Sequence, residues 1–180
     1  MSKSELRDLY LTKRKALSNK EVIQKSEQIC KKLIQFFKQR PFLNIVGYSP
    51  IHNEPKLTTF LRWAHQNHHI YMPKYSDNTY QLVQITLNTH YTTGKYNILE
   101  PTTTTPLLKP SQTESTNTCF LVPGIIFDKQ GARIGYGKGI YDQLLQRFNG
   151  FRVGIAYNFQ MINNIPQEKH DINMDTLITD

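Results

Sequence analysis

Only two cysteines occur in the 180 residues, Cys30 and Cys119, far apart and in unlike surroundings. That is too few for a disulfide framework or a thiolate-bound zinc. No stretch approaches the roughly 18 apolar residues of a membrane span. The opening MSKSELRDLY has no apolar run of the kind that defines a secretory leader. Walker A loops and Gly-x-Ser-x-Gly elbows are both absent. His65 and His69 stand four apart with His68 beside them, but no Glu lies between, so a polar helix end is the better reading than a zinc motif. Cys119, in an apolar run, reads as a buried, inert thiol. These absences leave a soluble, cytoplasmic protein with one domain over residues 1–180 and no membrane partner. With 38% hydrophobic residues, a chain of this length buries roughly 70% of its unfolded surface without staples.

Acidic residues are outnumbered, 14 to 22, and the imbalance is local. Residues 1–40 hold eleven Lys and Arg against four Asp and Glu, so nearly all of the +8 net charge is N-terminal. Such a segment suits a polyanion, either nucleic acid or a phosphorylated small molecule; a solvated helix face is the plainer alternative.

Leu6, Leu9, Tyr10, Lys13 and Leu17 form one stripe and predict a helix over 3–16. Ser18-x-x-Glu21 reads as a capping box opening a second helix to about 39, stopped by Pro41. Strands are expected at 44–48, 70–72, 80–85, 119–122 and 152–157, and helices at 57–67 and 139–148. Residues 100–118, rich in Thr, Ser and Pro, read as a long surface loop. Strands alternating with helices give an α/β fold with a largely parallel sheet.

The segment with the densest chemistry is Arg133-Ile134-Gly135-Tyr136-Gly137-Lys138-Gly139-Ile140-Tyr141-Asp142, between a strand and a helix. Its alternate glycines let backbone N–H groups approach a ligand, and the helix start and two cations favour an anion. A phosphate-bearing ligand fits; a glycine-rich turn is the structural alternative. Asp142, one turn into that helix, is placed to hold hydrated Mg²⁺ against phosphate or simply to favour the helix dipole. Asp171 and Asp175 are further oxygen donors, and spacing alone makes each an exposed residue.

Together with Leu121–Asp128, this block closely resembles the signature of the 5-formyltetrahydrofolate cyclo-ligase family, also called methenyltetrahydrofolate synthetase. Lys3-Ser4-Glu5-Leu6-Arg7, with Arg14 further along the helix, resembles its N-terminal nucleotide-contacting segment. Tyr48-Ser49-Pro50 with Glu54 is similar to its folate side. Gly94 through Glu100-Pro101, and the tail His170-Asp171-x-x-x-Asp175, match further landmarks. The likeness runs nearly the whole chain.

The resemblance implies a three-layer α/β/α sandwich and ATP-dependent closure of 5-formyltetrahydrofolate to 5,10-methenyltetrahydrofolate, with ADP and phosphate released. It implies that Lys3, Ser4, Glu5, Leu6 and Arg7, with Arg133, Ile134, Gly135, Tyr136, Gly137, Lys138, Gly139, Ile140 and Tyr141, contact ATP. Arg133 and Lys138 take the catalytic role. Ser49, Glu54 and Tyr136 face the folate, and Asp142 and Asp171 the Mg²⁺. The family's partners are small molecules, with no nucleic acid, and a monomer is expected. Two departures stand out: Pro55-Lys56 after Glu54, and Asn158 where the family commonly has Asp, which removes one carboxylate near the site. A nucleic-acid module would need a stacking platform that is missing here. A catalytically silent folate binder would not need Lys3, Arg7, Arg133 and Asp142 together.

Overall fold

A computed structural model describes residues 1–166 and 171–180. Two helices open the chain, α1 (Lys3–Lys15) and α2 (Asn19–Lys38). Both begin with capping boxes, Ser2 with Glu5 and Ser18 with Glu21, each satisfying otherwise orphaned N–H groups. β1 (Asn44–Val46), α3 (Thr58–Ala64) and β2 (His69–Ser76) form the first parallel crossover. β3 (Thr79–Ile85), β4 (Tyr91–Thr93), β5 (Leu99–Pro101) and β6 (Leu107–Leu108) follow. Next come β7 (Thr118–Pro123), β8 (Ile126–Asp128) and β9 (Arg133–Ile134). α4 (Ile140–Arg147), β10 (Phe151–Ile155), β11 (Met161–Ile162) and β12 (Thr176–Ile178) complete the order.

The main sheet runs β12-β10-β7-β1-β2-β3-β6. Pairs from β12 to β2 are parallel, and β3 and β6 add an antiparallel flank. Strand alternation builds the layers. Ile45, Cys119 and Leu121 face α2 and α3 in one core, with Ile29, Leu33, Phe37 and Phe60. Val46, Phe120 and Val122 face the other way, against Leu144 and Phe148 around α4. The result is the three-layer α/β/α sandwich. No helix among the described residues is long and apolar enough to cross a membrane.

Several expectations change. The segment 100–118 is not one open loop: Glu100 and Pro101 belong to the β4–β5 hairpin, and β6 pairs with β3 at the sheet edge. Two apolar residues between Pro106 and Pro110 are too short a run to read as a strand. α3 stops at Ala64, so His65 caps the helix while His69 starts β2, and no helical pair forms. On α1, Leu9 is exposed; Leu6, Tyr10 and Leu11 pack beneath the small β11-β8-β9 sheet. Arg14 is the helix's one buried residue.

Candidate active site

From β1 the chain turns to β2 on one side, and from β7 it turns to β10 on the other. Between β1 and β7 the winding therefore reverses, and the carboxyl ends of such strands leave a crevice for ligands. Tyr48, Ser49 and Glu54 follow β1 there, and Pro123 ends β7. They line a cavity of about 340 Å³, closed by Lys3 and Arg7 of α1, by Tyr80 and Glu100, and by Arg133–Asp142.

The glycine segment is held from both sides. Asp128, fully buried, accepts from the backbone N–H groups of Gln130, Ala132 and Ile165 at 2.9–3.0 Å, which fixes the turn feeding β9. Arg7 Nε donates to the Gly135 carbonyl at 2.9 Å. Gly137 and Gly139 take φ of +76° and +66°, a region a side chain disfavours. No side chain caps the α4 start at Gly139, so its N-terminal N–H groups are offered to an anion. Arg133 donates to Asp142 Oδ1 at 2.7 Å and to the Pro123 carbonyl at 3.4 Å; its buried Nε has no partner among the described residues. Lys138 is exposed, its ammonium 5.2 Å from the Tyr96 ring. Lys3 pairs with Asp171 at 2.9 Å.

The folate-side residues meet a buried cation. Arg14 Nη1 donates to Gly124 O at 2.8 Å and Nε to His52 O at 3.0 Å. Its Nη2 donates to the Tyr136 hydroxyl and lies 3.6 Å from Glu54 Oε1. Glu54 Oε2 accepts from Ile51 N–H at 3.0 Å. Burial pushes the Glu54 carboxyl up to about 7, against the pull of Arg14. Burial likewise holds the Tyr136 and Tyr141 phenols high, so both remain hydroxyls at neutral pH.

A raised carboxyl makes a signed prediction. Folded Glu54 keeps its proton to about pH 7 while the unfolded chain releases it near 4.5, so its contribution is full below 4.5 and lost as pH rises through 7. At roughly 1.4 kcal/mol per unit the difference is on the order of 3 kcal/mol. Denaturant melts of wild type and E54Q should therefore diverge, wild type weakening relative to E54Q between about pH 5 and 8.

The cavity gathers most residues marked from the sequence. Lys3, Arg7, Ser49, Glu54, the run Arg133–Tyr141, Asp142 and Asp171 all line it. Ser4, Glu5 and Leu6 do not: Ser4 is exposed, Glu5 is spent on the Ser2 cap, and Leu6 packs against the apolar cluster under α1. Asn158 is also off the cavity, bound to Asp180 at 2.8 and 2.6 Å, so an Asp there would not have supplied a site carboxylate. Asp175 serves Arg152, at 2.7–2.9 Å. His170 lies outside the described residues. The sequence places Arg14 beside the nucleotide-contacting segment but gives it no specific role; the signal for its burial is a cation on the apolar stripe of Leu6, Tyr10 and Leu17.

Comparison with known proteins bears on this geometry directly. The model of the 5-formyltetrahydrofolate cyclo-ligase family matches residues 1–180. The chain belongs to that family. Its activity is therefore the ring closure for which the cyclo-ligases are named, with ATP as co-substrate. Among solved structures, the Aquifex aeolicus 5,10-methenyltetrahydrofolate synthetase superposes with a TM-score of 0.85 at 32% identity, over 99% of this chain and 89% of that one. The Mycoplasma pneumoniae synthetase gives 0.79 at 29%, covering 99% of both. A probable 5-formyltetrahydrofolate cyclo-ligase of Schizosaccharomyces pombe is 25% identical over 99% of this chain and 95% of its own. Of the cyclo-ligase landmarks named above, Lys3, Arg7, Tyr48, Ser49, Glu54, Glu100, Arg133–Asp142 and Asp171 line one cavity.

Proposed function

We propose that this cavity binds the pterin of 5-formyltetrahydrofolate at Glu54 and ATP along Arg133–Tyr141, so that the γ-phosphoryl group meets the formyl oxygen between them. One observation carries this reading: Arg14 bonds the hydroxyl of Tyr136, in the glycine segment, and lies 3.6 Å from Glu54, while Tyr141 flanks Arg133 on the same cavity wall, so the two half-sites meet. The pterin edge is rich in N–H donors, which a buried carboxylate backed by Arg14 satisfies. Ser49 lies beside it on the same wall.

A formyl oxygen leaves poorly until it is phosphorylated. Transfer of the γ-phosphoryl group gives an N5-iminium phosphate; N10 then attacks the activated carbon and phosphate departs. Residues in such a transfer mainly align the reactants and neutralise charge, the work assigned here to Arg133, Lys138, Lys3 and Arg7. The α4 start and the N–H groups of the glycine segment add fixed dipoles aimed at phosphate.

Mg²⁺ fits the donor set if ATP carries most of its coordination. Asp142 and Asp171 are half-buried at the nucleotide end, and among the described residues no three His, Cys, Asp or Glu side chains converge on one point. One or two carboxylates plus phosphate oxygens suit this ion. Bound there, it would neutralise charge on the phosphates. We further propose a monomeric, single-domain, cytoplasmic enzyme without nucleic acid, since one chain supplies every wall of the cavity.

The test is near-ultraviolet absorbance with 5-formyltetrahydrofolate, Mg²⁺ and ATP, because only the methenyl product has the extended chromophore. Growth of that band with equal ADP release, and none without ATP, is the expected result. A flat trace from folded protein that binds ATP would sink the reading.

A further inference from the structure

Ring closure turns N10 from an amine bearing hydrogen into one end of a positively charged amidine, so a proton must leave and positive charge must be met. The carboxylates discussed so far are engaged. Glu54 faces Arg14 and Ile51, Asp142 faces Arg133, and Asp171 faces Lys3. One more carboxylate lines the cavity, Glu100 of β5. Its side chain is 6% exposed, yet it makes no hydrogen bond or ion pair with any described residue. Its carboxyl oxygens open onto the cavity, where water or a ligand can meet them.

Its surroundings are built around it. Tyr80, also on the cavity wall, has a buried hydroxyl with no hydrogen-bond partner among the described residues, and burial, then the Glu100 charge, pushes that phenol up to about 12. Gly94, across the β4–β5 hairpin, presses on the carboxyl: a Cβ there would stand 2.4 Å from Glu100 Oε2. The hairpin closes on this carboxylate only because residue 94 has no side chain. Glu54, Tyr141, Tyr80 and Glu100 all line the same cavity, so the two carboxylates share it with both tyrosines.

We propose that Glu100 accepts the N10 proton as the ring closes and then faces the positive charge of the product. This rests on the two-step reading above. With the donor edge of the pterin at Glu54, the second carboxylate of the same cavity is left to meet the part of the folate beyond the pterin, where N10 carries its hydrogen. The N10 lone pair forms the new bond to the phosphorylated formyl carbon. The N10 proton passes to the Glu100 carboxylate, and the carbon–oxygen bond breaks with its electron pair leaving on phosphate. The remaining nitrogen lone pair completes the amidine cation, whose charge faces Glu100 once the proton has passed on. One bond forms, one breaks, and no oxidation state changes; Glu100 later returns the proton to solvent. Glu100 is thus a catalytic residue of the second step only.

E100Q is isosteric and separates the steps. In rapid-quench single turnovers with MgATP, ADP should form at close to the wild-type rate, up to about one equivalent per site, while the methenyl band lags by roughly 100-fold. That is the low end for a general base, because the N10 proton is strongly acidic once the new bond forms. Methenyl formation within about threefold of wild type would overturn the proposal. So would ADP and methenyl slowing together in a folded variant, which would make Glu100 a binding or structural residue. Wild-type protein that releases ADP without ever forming the methenyl band would overturn both this proposal and the reading beneath it.

Discussion

Replacing Arg14 with methionine is expected to lower stability by about 3–5 kcal/mol and to weaken folate use with it. The guanidinium is fully buried, and its donors reach Gly124 O, His52 O and the Tyr136 hydroxyl. Methionine fills the volume but takes the Arg14 donor from the His52 carbonyl and leaves the Gly124 carbonyl with Gln160 Nε2 alone. It also removes the counter-charge of Glu54, whose carboxyl then rises further above 7. R14K keeps a charge but not the planar set of donors, so it should fall between wild type and R14M. The double variant R14M/E54Q should recover part of the loss, because no unpaired carboxylate is left inside. Urea denaturation of the four proteins reads this out. R14M within about 1 kcal/mol of wild type would show that the cluster is not what joins the two half-sites.

K138A should do the opposite, leaving the fold alone and removing chemistry. Lys138 is exposed between two glycines at positive φ, and its recorded contact is the ring of Tyr96. Its loss should change stability by no more than about 0.5 kcal/mol. A cation that meets charge developing on a transferred phosphoryl group is worth roughly 10²–10³ in rate, and kcat/KM for ATP should fall by that factor. Arg133 is a less clean probe, since it also holds Asp142 and the Pro123 carbonyl. Retention of more than about a tenth of the activity by K138A would place phosphate neutralisation elsewhere.

The contrast between these two cations shows what the chain reveals in one dimension. Lys138 sits in a local pattern of alternating glycines ahead of a helix, and local patterns are legible. So are the Ser18–Glu21 cap, the apolar run of β7, and the alternation that sends Cys119 and Phe120 to opposite cores. Arg14 was matched beside the nucleotide-contacting segment, but its buried role is invisible by the same method, because its partners come from positions 38, 110 and 122 residues away. Glu100 was matched only as a landmark, and its unmatched carboxyl is evident only once the hairpin folds over it. The apparent site run Lys3–Arg7 divides for a helical reason: residues four apart share a face, so Lys3 and Arg7 reach the cavity while Ser4, Glu5 and Leu6 turn away.

The central claim is that the formyl oxygen is phosphorylated in this cavity and leaves as part of phosphate. Substrate labelled with heavy oxygen in the formyl group, turned over with Mg²⁺ and unlabelled ATP, tests it by mass analysis of the phosphate. One heavy oxygen in each phosphate released is the predicted result. Unlabelled phosphate, with the label passing to water instead, would contradict the account.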